Sequence, residues 1–139
     1  MSLATCGPPG PHAANLFYAR DGFALLWVSD RMSRHSIELE ADERAAATIA
    51  PDYSDYATIR GLQVHGRACR LVDDAERARA RQILEARFPF LKQLADAGVR
   101  DSYDRAQIYR LDPVRLVLID NARGFGHKDV LDLSGGAAD

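Results

Sequence analysis

The segment that most restricts the fold is residues 61–72, GLQVHGRACRLV, in which apolar and polar side chains alternate. In an extended strand, Leu62, Val64 and Ala68 would share one face, because successive side chains point to opposite sides of a sheet. The polar residues between them would share the other face. The alternation therefore predicts a long strand that packs on one face only.

The remaining segments predict several more strands, most of them short. Residues 23–29, FALLWVS, are apolar almost throughout, as expected of a strand covered on both faces. A Gly/Pro turn at residues 6–12 and an Asp21-Gly22 hairpin turn come before it. Residues 106–121 predict two strand segments hinged at Asp112-Pro113. The predicted order is β-β-β-α-β-β-α-β-β, which favours an antiparallel barrel with covering helices over a doubly wound parallel sheet.

Two helices have recognisable starts. Ser33 is a suitable N-cap for a short helix, since a serine side chain can accept a hydrogen bond from a free backbone N–H of the first turn. Asp73 followed by Glu76 resembles a capping box and opens the clearest helix, residues 73–88. Pro89 cannot continue an ordinary helix, so a break near Phe88 is expected.

Length and charge exclude several classes of protein. A chain of 139 residues suits a single domain covering residues 1–139. A formal net charge of −2 provides no overall field for nucleic acid or anionic membranes, so neither is an expected partner. No stretch reaches the roughly 20 apolar residues that a membrane helix requires. Cys6 and Cys69 lack a CxxC spacing and fit reduced thiols of a cytoplasmic protein.

Residues 33–35, Ser-Arg-His, are the main candidate for a binding site. Free N–H groups at a helix start attract phosphate, and an arginine can hold a phosphate through two hydrogen bonds. An ordinary capped turn with solvated charges would have the same residues. The chain's 4 histidines are scattered, so no metal site is expected. No glycine-rich phosphate loop or nucleophile elbow is present.

The order of the motifs resembles that of one known family. PHAANLFYA, LLWVSD, SRHS, IRGLQVHGRA, a helix that ends in RFP, and LIDNARGFGHK resemble the pyridoxamine 5'-phosphate oxidase-like family of FMN-binding split barrels. A poorly characterised bacterial subgroup with an RGxQxxG strand and a GFGxK tail is the most similar part of it. The resemblance implies a mainly β fold with α: a six-stranded antiparallel Greek-key split barrel with flanking helices. It also implies a homodimer with flavin mononucleotide (FMN) in the clefts between subunits.

The same resemblance implies roles for individual residues. Ser33, Arg34 and His35 take the place of the turn that binds the flavin phosphate, and Val28 and Ser29 take the place of residues that contact the flavin. The other predicted cofactor-binding residues lie on the second strand, on the long alternating strand and in the tail: Asn15, Gln63 and Lys128.

Three departures from the oxidases are visible. His35 replaces a lysine, so the affinity for phosphate would weaken as the imidazole loses its proton. The position of a flavin-contacting glutamine holds Gly61, and Gln63 lies two residues further on the same strand face. The resemblance also implies, apart from these departures, that the first helix ends near Asp42 and that residues 45–50 form a strand. The tail lacks the Trp and Arg pattern of the oxidases, so the vitamin B6 reaction itself is not expected.

The resemblance thus implies an FMN-binding homodimer. A flavin-dependent oxidoreductase would take an unidentified small-molecule substrate and an electron donor such as NAD(P)H, and no protein acid or base is required. The alternatives are a carrier that binds flavin without turnover, a protein that binds haem or deazaflavin, and a dimer that has lost its cofactor. His65 and His127 are the histidines available as axial haem ligands.

Overall fold

A computed structural model describes residues 1–133, which form one antiparallel sheet flanked by three α-helices. The strands are β1 (Ser2–Gly7), β2 (Gly10–Asn15), β3 (Ala19–Asp21), β4 (Ala24–Ser29), β5 (Arg44–Ile49), β6 (Arg60–Arg70), β7 (Gln107–Asp120) and β8 (Lys128–Asp132). The helices are α1 (Arg34–Ala41), α2 (Asp74–Arg87) and α3 (Ala97–Arg105). Short 3-10 turns lie at Tyr56–Thr58, Pro89–Gln93 and Asn121–Arg123.

The strand order is β2-β1-β5-β6-β7-β4-β3, and β8 pairs with β7 beyond the end of β4. Consecutive strands β5, β6 and β7 are neighbours while β4 returns to lie beside β7, which is Greek-key order. Every pairing in residues 1–133 is antiparallel, as predicted. The expectation of six strands is corrected to eight in this part of the chain. The edge strands β2 and β3 do not pair with each other, so the sheet stays open.

The alternating segment forms β6, at the centre of the sheet. Val64 and Ala68 are buried and Leu62 packs beside them, whereas the polar residues between them are exposed. Val64 and Ala68 belong to the main core, and Leu62 packs against it. This core also contains Trp27 stacked on Tyr109, with ring centroids 5.6 Å apart. Local alternation was sufficient to predict which face of this strand packs inward.

β7 runs unbroken through the hinge predicted at Asp112-Pro113, but its register shifts there. His65 pairs with Arg115 and Gly66 with Pro113, so Val114 is one extra residue on β7. This bulge changes which positions point inward. Tyr109 and Leu111 face the core before it, and Leu116 packs on the core after it.

The predicted helix ends agree with the structure. The Ser33 hydroxyl accepts a hydrogen bond from the backbone N–H of Ser36, and α1 ends at Ala41 with Asp42 as its C-cap. The carboxylate of Asp73 caps α2, which ends before Phe88. The third helix, α3, was not predicted. It begins at an N-cap, Asp96, and buries no side chain. Val99 and Tyr103 are its only large apolar residues, which are too few to signal a helix from sequence.

β4 is covered on both faces, as its composition predicts. Leu25 and Trp27 point into the main core, and Leu26 packs in a second core against α2. The helices α1 and α2 therefore lie on opposite sides of this strand, and β4 ends where its chain enters α1. No helix in residues 1–133 combines the length and the apolar character needed to cross a membrane.

Candidate functional site

The turn from β4 into α1 brings four side chains together into a serine–histidine cluster, formed by Ser29, Ser33, His35 and Ser36. The Ser29 hydroxyl oxygen lies 2.7 Å from Nε2 of His35 and 3.1 Å from the Ser33 hydroxyl oxygen. The Ser33 hydroxyl is 3.1 Å from the same imidazole nitrogen and donates to the Ser36 hydroxyl at 2.8 Å. Ser36 and His35 are buried, so the polar side chains of the cluster lie beneath the turn and are held in place by the surrounding protein.

The imidazole of His35 is held in its neutral form. Burial lowers the pKa of His35 below its ordinary value of 6.5, and the neighbouring His12 lowers it further. The two rings are nearly parallel, with centroids 6.3 Å apart. Glu38 acts in the opposite direction but is the smallest influence. His35 therefore takes part at neutral pH through hydrogen bonding, without a positive charge for a phosphate.

We expect stability to fall as the pH drops below 6.5, the ordinary pKa of histidine. Because folding lowers the pKa of His35, the unfolded chain takes up the proton first, so acid favours unfolding. A His35→Gln variant keeps a polar side chain and should show a flatter decline in this range. Urea unfolding at a series of pH values measures the difference, with the exposed His65→Gln as control. Equal pH profiles for wild type and His35→Gln would contradict this assignment.

Arg34 connects α1 to the hairpin of β1 and β2. Its Nε donates to Oε1 of Glu38 at 2.8 Å, and another guanidinium nitrogen donates to the carbonyl oxygen of Gly10 at 3.0 Å. Glu38 is buried, and its second oxygen accepts a hydrogen bond from the Thr5 hydroxyl at 2.6 Å. The hydrogen bonds from Thr5 and then Arg34 lower the pKa of Glu38. The guanidinium is thus held between Glu38, one turn further along α1, and the turn of the β1–β2 hairpin, while the Arg34 side chain stays 45% exposed.

The first turn of α1 adds backbone donors at the same place. The backbone N–H groups of Arg34 and His35 lie in the first turn, where a helix has no carbonyl partner for them. The dipole of the helix also favours an anion there. The Ser29 hydroxyl, the Arg34 guanidinium and these N–H groups are therefore a set of hydrogen-bond donors suited to a phosphate.

Val28 lies on the other side of β4 and lines what we call the aromatic groove, together with Asn15. The groove has a volume of about 280 Å³, and its walls are Asn15, Leu16, Phe17, Val28, Leu84, Phe88, Phe90, Leu91 and Tyr103. β3 pairs with β4 only as far as Leu26 in the described residues, so the edge of β4 beside Val28 and Ser29 is open.

The other predicted site residues lie on the outer face of the sheet. The register places Asn15, Ser2, Thr48 and Gln63 in one row across neighbouring strands. Gln63 is exposed there, and the Asn15 side-chain oxygen accepts a hydrogen bond from the Ser2 hydroxyl at 2.6 Å.

Lys128 is exposed at the start of β8 and pairs with Ile119, whereas Ser29 pairs with Gln107 at the other end of β7. One chain therefore brings Ser29, Ser33, Arg34 and His35 together and joins Val28 to Asn15 in the aromatic groove. Gln63 shares the outer row with Asn15 but lies three strands away from it, and Lys128 lies at the far end of β7 from Ser29.

Sequence reasoning missed the contacts between distant segments. Thr5 and Glu38 are 33 positions apart, and His12 of the β1–β2 hairpin stacks on His35 of α1. Phe17 meets Phe88 and Phe90 across the aromatic groove. No local pattern signals such pairs. Only the excess of aromatic residues in LFYAR and RFPF hinted at the groove.

The chain is similar in sequence to one protein family and to several bacterial proteins. The profile of the family described as pyridoxamine 5'-phosphate oxidase matches residues 1–123. A UPF0306 protein from Serratia proteamaculans (strain 568) is 35% identical over 118 residues, which cover 83% of this chain and 74% of the relative. A UPF0306 protein from Klebsiella pneumoniae (strain 342) is 32% identical over 117 residues, covering 83% and 72%.

Solved structures share the fold. A heme binding protein from Mycobacterium smegmatis superposes with a TM-score of 0.73 at 26% identity. The match covers 94% of this chain but only 51% of that one, so the chain spans about half of that protein's length. An FAD-binding protein from Mesorhizobium loti gives a TM-score of 0.66 at 16% identity, covering 83% of this chain and 80% of that one.

Proposed function

Since the chain belongs to the pyridoxamine 5'-phosphate oxidase family, we propose that it is a flavoprotein that binds FMN. The phosphate would bind at the first turn of α1, and the ring would lie along the open edge of β4. The observation that carries the proposal is the hydrogen-bonded cluster of Ser29, Ser33 and His35 at the start of α1, next to that open edge. The fold neighbours described as binding FAD and heme support a cofactor role for this fold.

The residues present fit an FMN phosphate. The Arg34 guanidinium supplies charge, and the backbone N–H groups of the first turn supply hydrogen bonds. In the tautomer with hydrogen on Nε2, the neutral imidazole of His35 donates to Ser29, and the hydroxyl hydrogen of Ser29 is then free for the phosphate. The backbone of Val28 and Ser29 has an edge free to hydrogen-bond with polar atoms of the ring. The flavin would supply the redox chemistry, and the chain would bind it, orient it and limit its exposure to water.

A homodimer is part of the proposal, because one chain leaves two of the expected cofactor-binding residues unused. Gln63 and Lys128 project from the outer face of the sheet, away from the serine–histidine cluster of their own chain. If a second copy of the chain packed against this face, Gln63 and Lys128 of the first copy would lie beside the flavin bound by the second copy. The proposed activity is oxidoreduction of a small molecule, with NAD(P)H as the electron donor.

Titration of FMN with the purified apoprotein tests the proposal. We expect quenching of flavin fluorescence with one FMN per chain, and a dimer by sedimentation. Bleaching of the bound flavin by NADPH or NADH would favour an enzyme over a carrier. FMN fluorescence that remains unchanged at high protein concentration would contradict the proposal.

Haem is the second candidate, because the heme binding protein is similar in both fold and sequence. An axial ligand would be needed, and His127 is half-buried with Nε2 at 3.2 Å from the Asp129 carboxylate. A Soret band after addition of haemin, lost in His127→Ala or His65→Ala, would favour this reading over flavin.

A further inference from the structure

We infer that the aromatic groove is the substrate subsite beside the proposed flavin, and that its ligand is a flat, uncharged aromatic molecule. The inference rests on the proposed function, because the groove adjoins the expected position of the ring. Val28 lines the groove, and the next residue, Ser29, belongs to the serine–histidine cluster. A molecule in the groove would therefore lie at the open edge of β4.

Three phenylalanine rings shape the groove. Phe17 meets Phe88 and Phe90 edge to face, with centroids 5.4 Å and 6.0 Å apart. Phe17 is nevertheless 73% exposed and Phe90 49% exposed. Because these two rings remain exposed, the protein lacks the free energy that burying them would contribute. An apolar ligand bound in the groove would cover the rings and supply that free energy. Edge-to-face rings also leave room for another ring to stack or insert between them.

The lining contains no ionisable carboxylate, amine, guanidinium or imidazole. Two nearby charged residues are paired: Lys92 lies 3.9 Å from the Glu85 carboxylate, and Arg81 lies 3.8 Å from that of Asp104. Arg87 lies over the Phe88 ring, 5.2 Å from its centroid, but does not line the groove. A charged ligand would lose its hydration in the groove without gaining a counter-ion. The ring system that binds there should therefore be neutral.

Asn15 and the volume of the groove further restrict the class of ligand that would bind there. The side-chain oxygen of Asn15 is engaged by the Ser2 hydroxyl, which leaves its amide N–H groups to donate to a ligand oxygen or nitrogen at the rim. A volume of about 280 Å³ is at the small end of ligand pockets and suits one or two fused rings. The expected ligand is a one- or two-ring aromatic molecule with a hydrogen-bond acceptor.

Prodan, a neutral naphthalene ketone whose fluorescence shifts to the blue in apolar surroundings, is a suitable probe. With apoprotein we expect a blue shift that saturates at one prodan per chain. Phe17→Ser and Phe90→Ser should each weaken its binding by about ten-fold or more. Phe125→Ser is the matched control, because Phe125 is an equally large ring that is 87% exposed on the turn before β8. Its prodan affinity should equal that of the wild type.

Charge selectivity is tested by competition. Methyl naphthyl ketone should displace prodan at concentrations about ten-fold lower than naphthoate, which carries the same rings with a negative charge. Equal potency of the two competitors, or equal prodan binding by Phe17→Ser and wild type, would overturn the inference.

Two further measurements distinguish a substrate subsite from a flavin site and from a subunit contact. Prodan and FMN should bind to the same chain together. If they excluded each other, the groove would hold the flavin ring itself, and the inference of a separate subsite would be overturned. Sedimentation of Phe17→Ser and Phe90→Ser should match that of the wild type, and a dissociated dimer would identify the groove as a subunit contact instead. Prodan binding without any FMN binding would overturn the flavin proposal and leave the ligand class of the groove supported.

Discussion

Replacing Gly66 by alanine is expected to destabilise the protein by about 3 kcal/mol or more. A Cβ atom at this position would lie 2.2 Å from the carbonyl oxygen of Asp112 and 2.9 Å from Cα of Pro113. Both are backbone atoms of β7 at its bulge, so no side chain can rotate away to relieve the contact. The strands β6 and β7 would have to separate at the centre of the sheet. Urea unfolding followed by circular dichroism measures the loss.

Gly61→Ala is the matched control, because it places the same methyl group on the same strand. Its Cβ would lie 3.6 Å from Cβ of Ala50, which is ordinary van der Waals contact. Its unfolding free energy should change by no more than about 1 kcal/mol, and the lower entropy of the unfolded chain favours a gain. Equal stability of the Gly66→Ala and Gly61→Ala proteins would show that the bulge does not hold the strands this close.

Arg34→Ala should weaken FMN binding by about 1.5–3 kcal/mol, the range for hydrogen bonds to a charged group. This corresponds to a rise in the dissociation constant of roughly ten-fold to 150-fold. Arg34 is the first residue of α1, where the phosphate is proposed to bind, and its contacts with Glu38 and Gly10 use two of its three guanidinium nitrogens. Riboflavin lacks the phosphate, so its affinity should be the same in Arg34→Ala and wild type. Fluorescence titration with both flavins measures the two affinities.

Two variants control for the loss of the Arg34 contacts. Arg31→Ala removes another arginine from the same turn, one that pairs with Glu40 at 3.1 Å, and should leave FMN affinity unchanged. Arg34→Lys keeps the charge and should bind FMN with intermediate affinity, because a lysine cannot form the paired hydrogen bonds of a guanidinium. If Arg34→Ala weakened FMN and riboflavin equally, the residue would act through folding and the phosphate role would be wrong.

The parts of the fold that the sequence predicted are those governed by near neighbours. The inward face of β6 follows from alternation, and the starts of α1 and α2 follow from Ser33 and Asp73, which cap the next turn. The strand β8 and the helix α3 were missed, because β8 is a short edge strand and α3 buries no side chain. The register change at Val114 was also missed, since it depends on how β7 meets β6.

The same distinction applies to the candidate site. Ser29, Ser33 and His35 lie within seven consecutive positions, so one turn was enough to bring them together. The neutral state of His35 could not be inferred, because it depends on burial and on His12 from another hairpin. The contact of Arg34 with Gly10 and the three-phenylalanine wall of the groove likewise join distant segments. The Arg34–Glu38 pair, in contrast, is an i,i+4 contact within α1 that spacing alone could have predicted.

The bulge also has a consequence for how this sequence can diverge. The conflict at position 66 involves only backbone atoms, so no substitution elsewhere compensates for a larger residue there. Loss of Val114 would remove the extra residue while leaving Tyr109, Leu111 and Leu116 facing the core. We therefore expect Gly66 and the extra residue in β7 to be kept or lost together. Descendants that keep the bulge must keep the glycine, and only those that delete a residue from β7 can vary position 66.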